Sequence, residues 1–412
     1  MASAITDTLL ADDLRGLNQL AIETVTGTTD LVEAMHAAIA YLPSALGHQA
    51  PERTTGVSGW VYRRVRGTAR LAGAGIEAVV STLAPVLRAR GAGEERDAVL
   101  AALNGVLGNH LEASGNPLAI RMCLRRDGRA LRLTRKALAT ALPDANGNLL
   151  VLVHGLCMND HQWRHQGHDH GAALARELGM SALYLHYNSG RHIARNGAAF
   201  ATLLERLVAA WPVPVERVVL VGHSMGGLVA RSACRHAEQR GHAWRRALSD
   251  VVFLGTPHHG APLERAGNRV DRLLGLSPYS APLALIGKLR SAGIQDLRHG
   301  NVGHADAPAG KAAARQPPAL PAGVRCHAIA ASTQAADTGH VAAHPHGDGL
   351  VPVASALGEY PDPAFDLRIP SSRKWIGHGI GHLQLLGSDA VYRRIKASLS
   401  RPVRTRRGQH RK

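Results

Sequence analysis

Residues Val218–Gly227 read VVLVGHSMGG, an apolar run followed by a serine that glycines flank on both sides. The apolar run is typical of a strand buried in a sheet, and the following GGLVARSACRH has the pattern of a helix. A strand can pass straight into a helix only through a sharp turn, and the glycines two residues before and after Ser224 relieve crowding there. The pattern therefore predicts that Ser224 occupies a strained turn, with its hydroxyl raised above the carboxyl edge of a sheet.

Further apolar runs indicate a whole sheet of such strands. The predicted strands are Leu149–Val153, Ala182–Tyr187, Val215–Val221, Asp250–Leu254, Val324–Ala331 and Phe365–Ile369. Helical patterns lie between several of them, including Gly197–Trp211 and Gly227–Arg240. Strands that alternate with helices predict an α/β fold with a mostly parallel, doubly wound sheet.

The remaining segments suggest three regions. Residues 1 to about 120 have helical periodicity, 121–400 carry the sheet, and 401–412 form a basic tail. Within the second region, Asp127-Gly128 predicts a β-hairpin turn. An apolar, helical insertion spans about 262–300, and an alanine- and proline-rich surface loop spans roughly 305–322.

A serine at such a turn becomes a nucleophile when a histidine base, oriented by an acid, removes its proton. On a sheet of this kind the acid and then the histidine follow the serine along the chain. Asp348 stands between glycines in HGDGLVPV, and His382 immediately precedes an apolar helical segment. We therefore predict that Ser224, Asp348 and His382 form a catalytic triad.

Several residues compete for these roles. Asp337, Asp362 and Asp366 are alternative acids, but none has the glycine setting of Asp348. His378 is the alternative base, four residues before His382. His382 is preferred because it lies directly at a predicted helix start.

Acyl transfer also requires hydrogen-bond donors for the oxyanion. The backbone N–H of Met225, after the nucleophile, is one candidate donor. A loop beginning with His154-Gly155 follows the strand LLVLV, and the N–H of Leu156 in this loop is the second candidate donor. The side chain of His154 is expected to be structural, bonded to the loop backbone.

The motifs VHGL, GHSMGG, FLGTPHHGAPLER, DGLVPV and GHLQLLG occur in this order. Together they resemble the α/β-hydrolase superfamily, and within it bacterial lipase- and esterase-like serine hydrolases related to the catalytic domain of GPI inositol-deacylases. The resemblance covers about residues 140–400. It implies an α/β-hydrolase fold, a Ser224–Asp348–His382 triad acting on a carboxylic ester without a cofactor, and an insertion at 262–300 that covers the acyl site.

The overall charge points to possible partners. The chain has 48 Lys and Arg against 31 Asp and Glu, a net charge of +17. Such a charge favours an anionic surface, although a genome rich in G and C explains abundant arginine without any function. The basic stretch around Trp60–Arg70 fits either a helix at a membrane interface or, preferably, a helix packed on the main domain. Only 4% of residues are aromatic and no nucleic-acid motif occurs, so we expect no nucleic-acid partner.

Cysteines and termini suggest the compartment. The four cysteines, Cys123, Cys157, Cys234 and Cys326, form no C-x-x-C pair, so reduced thiols are expected. The N-terminus lacks the basic start of a secretory signal. The apolar stretch Leu71–Leu87 is short and contains Glu77 and Pro85, so we reject it as a membrane span. These features predict a cytoplasmic protein, and contact with a membrane surface is compatible with them.

One histidine-rich segment could suggest a metal. The segment NDHQWRHQGHDHG places four histidines and an aspartate close together, namely His161, His165, His168, Asp169 and His170. We prefer a polar rim and a helix start, because no distant second ligand is evident, and we predict no metal.

Two classes of function follow. The first is a serine hydrolase for carboxylic esters with a hydrophobic acyl group, and thioesterases and acyltransferases use the same triad. The second is a non-catalytic, basic binding protein on a hydrolase scaffold, which would contact membranes or nucleic acid.

Overall fold

The computed structural model describes residues 93–113, 115–260, 291–299, 320–335 and 347–400. The predictions for the chain before residue 93, for most of the insertion and of the alanine- and proline-rich loop, for Asp337 and for the basic tail lie outside these residues.

The elements of the described residues alternate as the pattern predicts. The strands are β1 (Cys123–Arg126), β2 (Arg129–Ala130), β3 (Asn148–Val153), β4 (Arg164–His165), β5 (His168–Asp169), β6 (Ser181–His186), β7 (Arg217–His223), β8 (Leu248–Leu254), β9 (Arg325–Ser332) and β10 (Lys374–His378). The α-helices are α1 (Glu94–Ala113), α2 (Arg135–Ala141), α3 (His170–Leu178), α4 (Ile193–Ala210), α5 (Met225–Arg240), α6 (Ala292–His299), α7 (Val353–Leu357) and α8 (Asp389–Leu399).

Within the described part of the chain, eight strands form one sheet in the order β10-β9-β8-β7-β3-β6-β1-β2. The six strands from β10 to β6 in this order are parallel to their neighbours, while β1 and β2 pair antiparallel at one edge. Strands β7 and β3 are parallel neighbours in the middle of the sheet, so the residues that follow them meet at its carboxyl edge. The predicted mostly parallel sheet is confirmed.

The central strands are buried on both faces, which explains their continuous apolar runs. In β3, Leu149, Val151 and Val153 belong to one apolar cluster, whereas Leu150 and Leu152 belong to a second cluster on the other face. Residues of α4, α5 and α1 share the first cluster, and residues of α3 and α8 share the second.

The hairpin prediction is also confirmed. Arg126 pairs with Arg129 across a two-residue turn, and both turn residues have positive φ, 51° at Asp127 and 72° at Gly128. This backbone matches the twist of the flanking strands, and aspartate followed by glycine adopts it readily.

The prediction of a strand at Phe365–Ile369 is wrong. Phe365 lies in a turn and residues 366–369 are irregular, and the Asp366 carboxylate accepts hydrogen bonds from the backbone N–H groups of Tyr360 and Arg368. Such local bonds compete with the backbone bonds of a strand. The edge strand is instead β10, five residues further on, which pairs parallel with β9.

The described end of the insertion is helical, as predicted, and forms α6. Asp296 of α6 accepts a hydrogen bond from the backbone N–H of Ile193, at 2.9 Å, and so caps the start of α4. Among the described residues, no helix has the length and apolar character needed to cross a membrane.

Candidate active site

Ser224 connects strand β7 to helix α5 as a single turn residue. Its φ of 53° and ψ of −125° lie in a region that costs about 1–3 kcal/mol for a residue with a side chain. The surrounding backbone holds it there, because the N–H of Ser224 donates to the carbonyl of Leu254 in β8 at 2.8 Å. Ser224 therefore lies at the carboxyl edge of the sheet in the strained turn that its sequence predicts.

The neighbouring glycines are required by close backbone contacts. A Cβ atom at Gly222 would lie 2.5 Å from the nitrogen of Gly227, and one at Gly226 would lie 2.5 Å from the carbonyl oxygen of His154. Strand β7, helix α5 and the loop after β3 thus approach too closely for any side chain. This is the physical reason for the spacing G-x-S-x-G.

Asp348 and His382 meet in a buried hydrogen bond. His382 Nδ1 lies 2.7 Å from Asp348 Oδ2, and the side chains are 2% and 1% exposed. The backbone N–H groups of Leu350 and Val351 donate to Asp348 Oδ1, and the N–H of His382 donates to the carbonyl of Asp348. These bonds fix the carboxylate and the imidazole relative to each other.

The second ring nitrogen of His382 is the one left for the proton of the serine. Nε2 is buried and makes no hydrogen bond within the residues that the structure describes. The turn after β8 packs against the same pair, since a Cβ at Gly255 would lie 3.0 Å from Asp348 Oδ2 and 3.3 Å from His382 Cε1. Gly255 follows Leu254, whose carbonyl holds Ser224, so the serine and the imidazole share one sheet edge.

The competing residues lie elsewhere or face solvent. His378 is the exposed last residue of β10, and Asp362 is exposed in the turn that follows α7. Asp366 bonds to its own loop, as described above. The structure therefore brings His382 together with Asp348 and leaves these competitors apart.

The loop after β3 passes beside Ser224. A Cβ at Gly155 would lie 3.2 Å from Ser224 Cβ. Leu156 follows Gly155 in this loop and Met225 follows Ser224 at the start of α5, and both residues are buried. His154 has the structural role expected, because its Nδ1–H donates to the carbonyl of Gly155 and its ring stacks on Tyr187. Burial lowers the pKa of His154 to about 3, so the ring stays neutral.

Sequence reasoning missed a role for His223. Its Nε2–H donates to the carbonyl of His382 at 3.1 Å, and the two rings are 4.7 Å apart. Burial holds the pKa of His223 well below its usual range, so the ring is neutral. His223 occupies the first variable position of the motif around Ser224, but a contact 159 residues along the chain leaves no local signal.

The histidine-rich segment divides among separate contacts. His168 donates to His170, which donates to the carbonyl of Leu385 at 2.9 Å, and Asp169 caps α3. His161 lies with Asp97 and Asp160, a group whose spacing could suit a metal ion. The guanidinium of Arg125 already occupies that position, 2.5 Å from Asp97 and 3.0 Å from Asp160.

The comparison with protein families agrees with this architecture. Residues 144–274 match the family model of the PGAP1-like alpha/beta domain, which spans β3, the loop after it, and the turn at Ser224. The chain has the α/β-hydrolase fold. The matched segment ends before Asp348 and His382. No curated protein matches the sequence.

Solved structures with a similar arrangement have low sequence identity. The mature lipase BlEst2 of Bacillus licheniformis is 20% identical, with a TM-score of 0.42 over 61% of this chain and 91% of the lipase. The naproxen esterase of Bacillus subtilis is 13% identical, with a TM-score of 0.35 over 62% and 84%. The NocB thioesterase domain is 17% identical, with a TM-score of 0.35 over 62% and 95%.

Proposed function

We propose that this α/β hydrolase is a serine esterase that cleaves carboxylic esters through Ser224, His382 and Asp348. The observation that carries the proposal is the buried bond between His382 Nδ1 and Asp348 Oδ2, at the sheet edge that holds Ser224. A carboxylate on Nδ1 selects the imidazole tautomer whose Nε2 can accept a proton, and it stabilises the imidazolium that forms.

The reaction follows from these positions. Ser224 Oγ attacks the carbonyl carbon of the ester while its proton passes to His382 Nε2. The backbone N–H groups of Leu156 and Met225 stabilise the negative charge on the tetrahedral intermediate. His382 then gives the proton to the leaving oxygen, which departs as an alcohol and leaves an acyl group on Ser224. Water, deprotonated by His382, attacks this acyl-enzyme and releases the carboxylic acid.

The proposed substrate has a hydrophobic acyl group. The sequence at 262–300, which includes LLGLSPYSAPLALIGKL, is apolar, and the described end of this insertion lies against α4 and α1. The apolar sequence of this insertion favours acyl chains over small polar substrates. We further propose that the protein acts in the cytoplasm, where its basic surface is compatible with contact at a membrane.

A fluorophosphonate reagent and p-nitrophenyl esters test the chemistry. We expect the wild-type protein to be labelled and to release p-nitrophenol from acetate, butyrate or octanoate esters. Ser224→Ala should not be labelled, and its turnover should fall at least about 10³-fold, because the nucleophile is gone. Ser232→Ala is the matched control, a second buried serine on α5, and should keep both.

The outcomes separate the alternatives. Equal turnover in wild type and Ser224→Ala would refute the esterase proposal. Faster release of thiol from an acyl thioester than of alcohol from the matching ester would assign a thioesterase. The absence of labelling in the folded wild type would favour the non-catalytic class, for which salt-sensitive binding to anionic vesicles or DNA is the test.

A further inference from the structure

Helix α1 lies before the matched family domain, yet its middle turns are built into the core. Residues 101–108 are all buried, and Leu103, Val106 and Leu107 belong to the same apolar cluster as alternate residues of β3. The Asn104 side chain bonds to the carbonyl of Leu118 and to the N–H of Ile120. The helix is thus fixed against the sheet and against the chain that leads into β1.

Helix α1 also approaches the loop after β3 closely. A Cβ at Gly105 would overlap Cys157 Sγ and would lie 2.9 Å from Cys157 Cα. Cys157 follows Leu156 and has a φ of 57°, which is unfavourable for a residue with a side chain. Its N–H donates to Ser189 Oγ at 3.0 Å. The backbone of α1 therefore contacts the loop at Cys157, its strained residue.

A polar cluster fixes the far end of the same loop. Arg125 of β1 bridges Asp97 of α1 and Asp160 of the loop, as described above, and His161 Nε2 lies 3.4 Å from Asp97 Oδ2. The hydrogen bond to Asp97 raises the pKa of His161. Burial acts to raise the pKa of Asp97, but the bond from His161 and the charge of Arg125 outweigh it and lower that pKa.

We propose that α1 positions the oxyanion donor of this hydrolase, and that Gly105 is the positioning residue that makes the contact possible. The inference rests on the proposed function. Leu156 lies between Gly155, which contacts Ser224, and Cys157, which contacts Gly105, so a displacement at Cys157 moves the N–H of Leu156. Donors to an oxyanion work only when they are held in place before the reaction, and a packed helix supplies that rigidity to a loop.

Gly105→Ala tests the contact. The added methyl group must displace Cys157, and we expect kcat for p-nitrophenyl butyrate to fall about 10- to 100-fold with KM within about twofold. Affinity for an aryl boronic acid, which mimics the tetrahedral state, should fall in parallel with kcat/KM. A merely structural loss of folded protein would lower the active fraction without weakening the affinity of the remaining sites.

The rescue variant uses the same contact. Gly105→Ala/Cys157→Ala removes the sulfur atom that the new methyl group meets but keeps the Cα atom of position 157, which the methyl group would approach to 2.9 Å. The double variant should therefore recover part of kcat. Cys157→Ala alone shows what the loss of the sulfur atom does to turnover, and the double variant is compared with it. Glu112→Ala is the helix control, because Glu112 lies on the exposed side of α1.

A second measurement does not depend on catalysis. Hydrogen–deuterium exchange of the peptide covering residues 154–161 should be faster in Gly105→Ala than in wild type, and intermediate in the double variant. If Gly105→Ala does not fold, Asp97→Asn replaces it, since it loosens the polar end of the contact and should give the same changes in smaller degree.

Each result decides the matter. Lower kcat, weaker boronic acid binding and faster exchange, each partly rescued in the double variant, would establish the positioning role. Unchanged turnover and unchanged exchange in a folded Gly105→Ala protein would overturn it. If the wild type cleaves no ester, the proposed function fails, and the exchange measurement alone then decides whether α1 positions the loop.

Discussion

At the scale of single residues, the candidate site depends on which nitrogen of His382 is free. Asp348 engages Nδ1, while His223 holds the backbone of His382 through its carbonyl oxygen. Because His223 is neutral, it donates one hydrogen bond and adds no charge beside the imidazole. Two buried groups thus orient the ring, one through its side chain and one through its backbone.

Asp348→Asn should abolish most of the proposed activity without changing the fold. An amide can donate to His382 Nδ1, which leaves the proton on Nε2, so the ring can no longer act as a base. We expect kcat to fall about 10³- to 10⁴-fold. The measurement is ester turnover at saturating substrate.

His378→Ala is the matched control for that prediction. His378 is exposed and four residues from His382, so its loss should leave turnover near wild type. If His378→Ala were instead inactive and Asp348→Asn active, the assignment of acid and base would be wrong.

At the scale of elements, three neighbouring strands are joined at the edge opposite Ser224. Asp250 of β8 is fully buried, and it accepts hydrogen bonds from Arg217 of β7 and from Arg325 and His327 of β9. Burial acts to raise the pKa of Asp250, but these bonds outweigh it and hold the pKa well below its usual range. This network ties the amino ends of the strands whose carboxyl ends carry the site.

Asp250→Asn should therefore destabilise the protein. The change leaves Arg217 and Arg325 with no carboxylate between them, and breaking a buried ion pair costs about 3–5 kcal/mol. The measurement is the free energy of unfolding by urea at neutral pH. Asp389→Asn, which removes an exposed i,i+4 partner of Arg393, should cost less than about 0.5 kcal/mol.

The effect of Asp250→Asn on the free energy of unfolding should depend on pH. A carboxylate with a lowered pKa stabilises the folded state above its ordinary pKa, and this contribution is lost as the pH falls. The difference in unfolding free energy between wild type and Asp250→Asn should therefore be full at neutral pH and shrink below about pH 4. A difference that stays constant through acid would mean that the charge of Asp250 is not the cause.

At the scale of the whole molecule, helix α1 and the sheet share one core. Leu103 of α1 is 2% exposed and belongs to the cluster that contains Val151 of β3 and Phe200 of α4. An element packed this way cannot leave without exposing the face of the sheet beneath it. We therefore expect α1 and the hydrolase core to unfold together.

Leu103→Ala tests this expectation. The cavity should lower the free energy of unfolding by about 2–5 kcal/mol. The transition should stay single, with far-UV circular dichroism and tryptophan fluorescence coinciding. Glu112→Ala, on the exposed side of α1, should cost less than about 1 kcal/mol. Two separate transitions would show that α1 docks on a core that folds without it.

Several features of the fold could be predicted from local sequence because their causes are local. Buried parallel strands need continuous apolar runs, as in β3, and the turn at Ser224 needs glycines at fixed spacing. Asp127-Gly128 specifies its hairpin for the same reason, since two residues with positive φ suffice to form it. The order of Ser224, Asp348 and His382 along the chain, with the glycines beside Asp348 and the predicted helix start at His382, likewise selected residues that the fold places at one edge.

Other features depend on residues that meet only after folding. Strand β10 (KWIGH) is half-exposed at the sheet edge and is held by backbone bonds to β9, so its side chains show no clear strand pattern. At Phe365–Ile369, the local hydrogen bonds of Asp366 override the apolar run. The contact of Gly105 with Cys157 and the bond of His223 to His382 join distant segments. Packing distances and hydrogen bonds between such segments follow from how the helices lie on the sheet, and periodicity along the chain contains no information about them.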